Sequence, residues 1–564
     1  MSSQDLLFYD IEVFKHDSLV VFKDINKRIV RIFHNNYAKL GEFITGKTLC
    51  GFNNYHYDDK ILTYMIELKP QFLIKELNDK IIRGENVKFI NKAPFRSLDT
   101  NQQIDVSRPS LKKIEGNMGR KILESSVSFD IDRPLTEQEF EEVLDYCAYD
   151  VDTTIDVYKL REGSYFQPKE SLIEMLGKPQ AERWNTTTIS ANLLLERPLP
   201  KWESVRIPPE MWELVPQEVR EMWLSVATFT APAAEVKTTT IEEFENEIQF
   251  GFGGLHGAHK KIKRAKNVKL LDVKSMYPNI ILILNVLGTI AGEKYKEILD
   301  RRLKVKHVNK ILSEALKLIL NSVYGNLGNK YSLLYNPMAL LSVCIFGQIA
   351  LYELCKRLAP YAEIININTD GVAFIPHDDA YLRVAKDWEK DFLGLELEEK
   401  NYDLFIQKDV NNYIAVKNSV PIECKGGDVN RFEKDAYFKN NNARILDIAL
   451  VEHLINGKDV LETLLENLDK PHLFQYILKS GSTYLGVFDE KGNEYNKVNR
   501  VFASKKEGFC LYKRRHDNGL VRFADAPISM YLWNNETSEI DNFEKIVDIN
   551  HYYQLVLKRL ERWS

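Results

Sequence analysis

The segment FYDIEVF places Asp10 and Glu12 two positions apart. On a strand, alternate residues share a face, so both carboxylates point the same way. Two such acids repel one another unless a cation neutralises them, so D-x-E reads either as surface acids or as part of a metal site. GFNNYHYDD then supplies Asn54 and Asp58, and DYCAYD supplies Tyr146 and Asp150. The last two fall at i and i+4, one face of a helix. Four carboxylates from two strand-type and two helix-type segments suit a two-metal site for phosphodiester hydrolysis. One ion would activate water and the other would stabilise the departing oxygen. Asp99 (SLDT), which reads as structural, and Lys112 and Lys113 (SLKKIEG) are additional candidates.

A second set follows. In KLLDVKSMYPNII, Asp272 ends an apolar run that Pro278 should break, which presents the carboxylate at a strand tip. INININTDGVAFI has the form strand, turn, strand, with Asp370–Gly371 as the hairpin turn. Between them, EALKLILNSVYGNLG sets Lys317, Asn321 and Tyr324 at i, i+4 and i+7 on a helix that Gly325 closes. Such a stripe is commonly a solvated face. Here a cation, an amide and a ring also suit the phosphate, base edge and stacking surface of a nucleotide. Arg302 and Lys306 in LDRRLKVKH are four apart and read by themselves as an exposed basic helix face. The glycines of GFGGLHG permit close backbone approach to phosphates, and Lys260, Lys261, Lys263, Arg264, Lys266 and Lys269 follow as a phosphate-contacting run.

The elements that must hold these residues are those of an α/β protein. A chain of 564 residues should form several domains. Its 44% hydrophobic and 28% charged content is that of a soluble globular protein, and a net charge of −5 means that any nucleic acid is held by local basic patches. Six cysteines without C-x-x-C spacing exclude zinc, iron–sulfur and secreted disulfide frameworks. MSSQDLLFYDIE lacks the features of a signal peptide. Met338–Leu354 is interrupted by Gln348 and Glu353, so it reads as a buried helix and not a membrane span. An irregular connector is expected where Pro198, Pro200, Pro208, Pro209, Pro216 and Pro232 cluster with four tryptophans.

In order and spacing, D-x-E, N-x-x-Y-D and Y-x-x-x-D resemble the three exonuclease motifs of family B DNA polymerases. D-x-x-S-M-Y-P, K-x-x-x-N-S-x-Y-G and T-D-G resemble that family's polymerase motifs A, B and C. The resemblance spans about residues 5–435, and the chain is similar to compact phage-type members. It implies an α/β and α+β multidomain fold: an RNase H-like 3′→5′ exonuclease domain joined to a right-hand polymerase of palm, fingers and thumb. The implied division is exonuclease 1–165, connector 166–250, palm 251–291, fingers 292–330, palm 331–435, and thumb with a C-terminal DNA-binding region 436–564. Lys505, Lys506, Lys513, Arg514 and Arg515 support the last of these.

The same resemblance implies roles. Asp10, Glu12, Asp58 and Asp150 would bind metal, with Tyr146 orienting water and Asn54 facing the single-stranded 3′ end. Asp272 and Asp370 would hold two Mg²⁺ ions, for which Mn²⁺ could substitute. Ser275, Lys317, Asn321, Tyr324, Arg302 and Lys306 would contact the incoming dNTP, and Tyr277 would exclude a 2′-hydroxyl. Phe252, Gly253, Gly254, Lys260, Lys261, Tyr413 and Lys425 would contact DNA. The implied partners are primer–template DNA and dNTPs, together with a helicase, single-strand-binding protein or processivity factor. The protein would be a monomer of the cytoplasm, a host's if phage-encoded, with no membrane partner.

The sequence departs from the family in three places. Motif C usually reads D-T-D and is here Asn368–Thr369–Asp370, with Gly371 where Ser is common; the lysine of K-x-Y is Asn411. The intervals Asp272–Lys317 and Asn321–Asp370 span 45 and 49 positions, too short for the insertions of protein-primed relatives. Short fingers, ordinary primer use and modest processivity are therefore expected. The alternatives are a repair exonuclease with a weakened polymerase site, favoured by Asn368 and opposed by the Lys317–Tyr324 stripe, and a non-catalytic DNA-binding scaffold, which would have lost a carboxylate from both sets.

Overall fold

The computed structural model describes residues 5–87, 94–226, 238–439 and 443–564. Pro232 and the first four residues lie outside them. The fold is a mixed α/β multidomain architecture built on two large sheets.

The first sheet has strands β1 (Leu6–Val13), β2 (Ser18–Lys23), β3 (Ile29–His34), β4 (Thr48–Gly51) and β5 (Arg96–Asp99), in the order β3-β2-β1-β4-β5. The first three are antiparallel, and β4 and β5 run parallel to β1. Nearly all of β1 is buried because helices cover both faces. Leu7, Tyr9 and Ile11 pack with Ile61, Leu62 and Met65 of the helix Asp58–Ile66. Phe8 packs the other way, with Val143, Cys147 and Val151 of the helix Glu137–Arg161. Strand alternation puts Asp10 and Glu12 on the Phe8 face, toward this long helix. A capping box starts that helix: the Thr136 hydroxyl accepts from the Glu139 N–H, and the Glu139 carboxylate accepts from Thr136.

The second sheet is wholly antiparallel. Its strands are β6 (Thr239–Glu243), β7 (Asn246–Phe250), β8 (His256–His259), β9 (Arg264–Val273), β10 (Ala362–Asn368), β11 (Gly371–Pro376), β12 (Leu397–Asp409), β13 (Asn412–Lys417) and β14 (Val420–Lys425). Their order is β14-β13-β12-β9-β11-β10-β8-β7-β6. One face packs on the helix Pro337–Leu358 through Leu271, Val273, Ile367 and Phe374. That helix is long and apolar enough to cross a membrane, and it is buried as the core helix of this sheet. The opposite face carries Val268, Tyr402, Phe405 and Tyr413. The helices Gly288–Val305 and Lys310–Leu327 form an adjacent pair joined by a short turn.

Two expected boundaries move. Residues 239–250 are strands β6 and β7 of the second sheet, not connector. The connector is also more regular than its prolines suggest, with helices at Gln167–Leu176, Thr186–Leu194 and Gln217–Val226. Pro208, Pro209 and Pro216 sit at or before first turns, where a missing N–H leaves no bond unmade, and Pro198 and Pro200 lie in the irregular stretch between helices. The exonuclease boundary at 165 falls within a π-turn, Glu162–Phe166, that continues one helical run into the next. After residue 443, helices at Ile445–Asn456, Val460–Glu466 and Ile549–Trp563 pack with two small antiparallel sheets. All six cysteines are free.

Replacing Thr136 with alanine removes one half of the capping box. It is expected to destabilise the first domain by about 1 kcal/mol, read as a lower denaturant midpoint, while Thr136→Ser stays near the parent value.

Candidate active sites

The first site forms between β1 and the two helices that flank it. Carboxylate oxygens of Asp10 and Glu12 and the Cys147 sulfur lie within 4.8 Å of one another. Asp150 joins them from the long helix, and Asp58 from the first residue of Asp58–Ile66. Thus one strand and two helices supply the four carboxylates. Burial raises the Asp10 carboxyl to about 8, helped by the charge of Asp150. Glu12 and Asp58 are raised well above their usual range, by burial first and then by Asp10. Burial also raises Asp150, against the pull of Lys112. One Asp58 oxygen is buried with no hydrogen-bond partner. The four carboxylates are hard oxygen donors, and with an orphaned oxygen and acids that resist ionising beside one another they fit a divalent cation such as magnesium.

Among the described residues, Lys112 is the cation that touches this site. It bonds Asp150, lies 3.3 Å from Glu115 and sits 4.4 Å from the centre of the Tyr146 ring. Against the lowering effect of burial, Asp150 and Glu115 hold its ammonium above its usual value. Glu115 is fully buried, accepts from the Thr153 hydroxyl and is raised to about 7 by burial. Glu115 was missed from sequence, because besides Lys112 on its own helix its partner Thr153 lies 38 residues away on another helix.

Asn54 is not where it was expected. It is fully buried, and its amide donates to Asp59 and to the Ser97 hydroxyl. Asp59, absent from the sequence-derived set, also accepts from Tyr9 and Ser97 and pairs with Arg183. Asn54 therefore secures the turn that delivers Asp58 and does not face a strand end. The helical phase explains the exchange, since Asp58 and Asp59 point about 100° apart. Asp99 accepts from the Asn53 and Asn101 backbone N–H groups, a structural part. Lys113 is largely buried, away from the carboxylates.

The second site lies on the aromatic face of the larger sheet. The register of β9 and β11 pairs Asp272 with Gly371, and the Val273 N–H donates to the Asp370 carbonyl at 2.8 Å. Residues 98 positions apart in sequence are thereby fixed side by side. The cleft is lined by Asp272, Asn368, Asp370, Lys400, Tyr413 and Glu423. Lys400 donates to Asp272 at 2.7 Å. Loss of hydration in the cleft raises the Asp370 carboxyl to about 6, aided by Asp272. Two facing oxygen ligands with a third acid in the same cleft fit divalent-cation chemistry.

The turns differ from expectation. Thr369 and Asp370 are the hairpin turn, and Thr369 takes the left-handed conformation (φ 58°). Gly371 is the first residue of β11. A side chain there would sit 3.0 Å from the Leu270 side chain and would force that side chain to shift. Ser275 (φ 47°), and not Pro278, ends β9; Pro278 lies in the first turn of the helix Met276–Ile283. Gly254 packs on the same hairpin, where a side chain would meet the Thr369 backbone at 3.1 Å.

Around this cleft, Tyr277 stacks on Tyr324 at 4.4 Å with rings 6° apart, and its hydroxyl bonds the Gly253 carbonyl. Motifs A and B and the Gly-rich segment thus meet at one point, with Phe252 packed against the core. Lys317 is part-exposed beside Glu314 (3.6 Å), Asn321 is exposed, Arg302 is partly covered, and Lys306 lies just past its helix. Tyr413 is buried, stacked on Phe405 and bonded to Glu423; Lys425 lies over its ring and pairs with Glu423 at 3.0 Å. Five of the six cations of the basic run have partners within the protein. Lys260 pairs with Glu242, Lys261 with Glu245 and Lys269 with Glu399; Lys263 and Arg264 donate to backbone carbonyls.

No family model matches the chain, and no curated protein does. Among solved structures it is similar to the family B DNA polymerase of the hyperthermophilic archaeon Pyrobaculum calidifontis. The TM-score is 0.46 and the identity 14%, over 99% of this chain and 78% of that one. That likeness is low.

The raised carboxyls set a pH dependence. The unfolded chain releases these protons near pH 4 while folded Asp10 holds its proton to about 8. Between those values the unfolded state binds fewer protons, so the stability of metal-free protein falls as pH rises from 4 to 8. Below that window both states are protonated and nothing is lost. Thermal unfolding in chelator should show this decline, and added Mg²⁺ should reverse it. A metal-free midpoint that climbs across the window would refute the arrangement.

Proposed function

We propose that this chain is a template-directed DNA polymerase with a separate 3′→5′ exonuclease site, of the compact phage type within family B. The observation that carries the reading is the pairing of β9 with β11. It brings Asp272 and Asp370 into one cleft, next to the Tyr277–Tyr324 stack. The second acidic cluster, on a different sheet, supports two activities in one chain. The strand order of the first sheet suits an RNase H-like domain. The second sheet, the helix pair and the C-terminal region suit palm, short fingers and thumb.

In this reading Asp272 and Asp370 hold two divalent cations, and so do Asp10, Glu12, Asp58 and Asp150. When bound, such ions supply the charge neutralisation that phosphoryl transfer requires. Lys317, Arg302 and Lys306 bind the triphosphate. Tyr277, fixed by its ring stack and by Gly253, offers a rigid wall beneath the sugar that a 2′-hydroxyl would strike. Tyr146 holds the attacking water in the hydrolytic site, and Lys112 pairs with Asp150 and opposes the upward push of burial on its carboxyl. Primer–template DNA, dNTPs and replication partners in a phage-infected cytoplasm are the implied setting.

A 5′-labelled primer–template with Mg²⁺ tests the reading. The primer is expected to lengthen with dNTPs and shorten without them. Asp10→Ala with Glu12→Ala should abolish shortening and spare extension, and Asp370→Ala should do the reverse. Loss of both activities from either change, in folded protein, would sink the two-site reading. Tyr277→Ala is expected to raise ribonucleotide incorporation at least tenfold. Equal use of both sugars by the parent enzyme would show that Tyr277 is no gate.

A further inference from the structure

The helix Leu111–Asn117 brings Lys112 to Asp150, yet it has seven residues and no side-chain N-cap. Helices this short do not persist by themselves, so tertiary contacts must hold it. Its own domain supplies the Lys112–Asp150 pair and the Glu115–Thr153 bond. Much of the remaining support comes from the C-terminal region, more than 300 positions later in the chain.

Arg500 in the strand Val498–Ala503 is the centre of that support. It is fully buried, and among the described residues no carboxylate lies within ion-pair distance of it. Its guanidinium donates instead to the carbonyls of Gly116 (3.1 Å) and Arg120 (2.5 Å), to those of Trp533 (3.5 Å) and Asn535 (2.6 Å), and to the Gln475 amide oxygen (2.7 Å). Burial among neutral acceptors lowers its pKa to about 10. The Gly116 carbonyl lies in the last turn of the helix, where it also accepts from the Gly119 N–H, and Arg120 follows three residues past the helix end, so the buried cation sits where it also opposes the helix dipole. Around this core, Gln475 donates to the Asn117 carbonyl, the Asn117 amide donates to the Tyr437 carbonyl, and Ile122 and Thr537 form backbone bonds across the same seam. Gly116 lies flat on Ile477, where a side chain would meet Ile477 carbons at 2.9 and 3.0 Å.

We propose that Arg500 is a positioning residue of the hydrolytic site: from the C-terminal region it clamps the end of the helix Leu111–Asn117 and so sets the reach of Lys112 to Asp150. This rests on the exonuclease reading given above. The polymerase cleft draws on none of these contacts. The C-terminal region is therefore a working part of the hydrolytic site as well as a candidate DNA grip.

The test compares full-length parent, Arg500→Lys and Gly116→Ala, each alone and with Lys112→Met. Arg500→Lys retains the charge and loses the planar array of donors. Gly116→Ala pushes the same helix from the Ile477 side, and stands in if Arg500→Lys does not fold. Each single change is expected to lower kcat for single-strand digestion at least tenfold with KM within about twofold, and to leave primer extension within about twofold. In the Lys112→Met background, neither change should lower digestion further. Hydrogen exchange of residues 111–117 should speed up in both single variants. Equal losses of both activities, undiminished effects in the Lys112→Met background, or unchanged exchange would each overturn the proposal. A parent enzyme that extends primers and digests nothing would instead refute the exonuclease reading, and the exchange measurement would still decide whether Arg500 holds the helix.

Discussion

Carboxylates that share a desolvated space repel one another, and this repulsion is the constraint around which the molecule is arranged. At the first site four acids converge beneath two helices, and the response is visible in Asp10, whose proton is held to about pH 8. Side chains under such strain would turn outward if the backbone allowed it. It does not, because β1 is packed on both faces and Asp10 and Glu12 have no other side of the strand to occupy. Burial of Phe8, Leu7 and Tyr9 thus contributes the hydrophobic free energy that offsets the clustering, on the order of 2 kcal/mol per large side chain.

Each site also keeps a lysine on one of its carboxylates, and the two are delivered differently. Lys400 comes from β12, the neighbour of β9, so sheet register alone places it on Asp272. Lys112 comes from a short helix outside the first sheet and depends on packing from elsewhere in the chain. A cation held by register is as rigid as its sheet. One held by a two-turn helix is only as well placed as that helix's supports, which is why contacts so distant in sequence bear on the first site.

Local chemistry was largely legible in the sequence, and long-range supports were not. Alternation placed Asp10 and Glu12 on one face, and helical spacing placed Tyr146 and Asp150 together. The Lys317–Tyr324 stripe also falls on one helix, Lys310–Leu327. What escaped was set by register or by helical phase. Nothing local distinguishes Asp59 from Asp58, yet a turn of about 100° sends one to the metal-type site and the other into a buried network with Asn54. Lys400 and Glu423 enter the second cleft through strand pairing, and Arg500 reaches Gly116 across 384 positions. Gly371 was read as a turn residue but opens β11 beside Leu270, and the contact of Gly254 with Thr369 is set by strand pairing that no local pattern shows.

Asn368 shows how the second site relaxes the same constraint. Its amide donates to the Val410 carbonyl at 2.9 Å, and Asn366, on the same strand, donates to Gln407 at 2.9 Å. Two amides on β10 thereby fix the end of β12 and the turn that leads to Tyr413. A carboxylate at 368 could not donate and would face a carbonyl oxygen, an unmade bond of about 1–3 kcal/mol. The exchange also removes one negative charge from the cleft. With fewer acids and more solvent, Asp370 is raised only to about 6, against about 8 for Asp10. A site with less internal repulsion needs less enclosure.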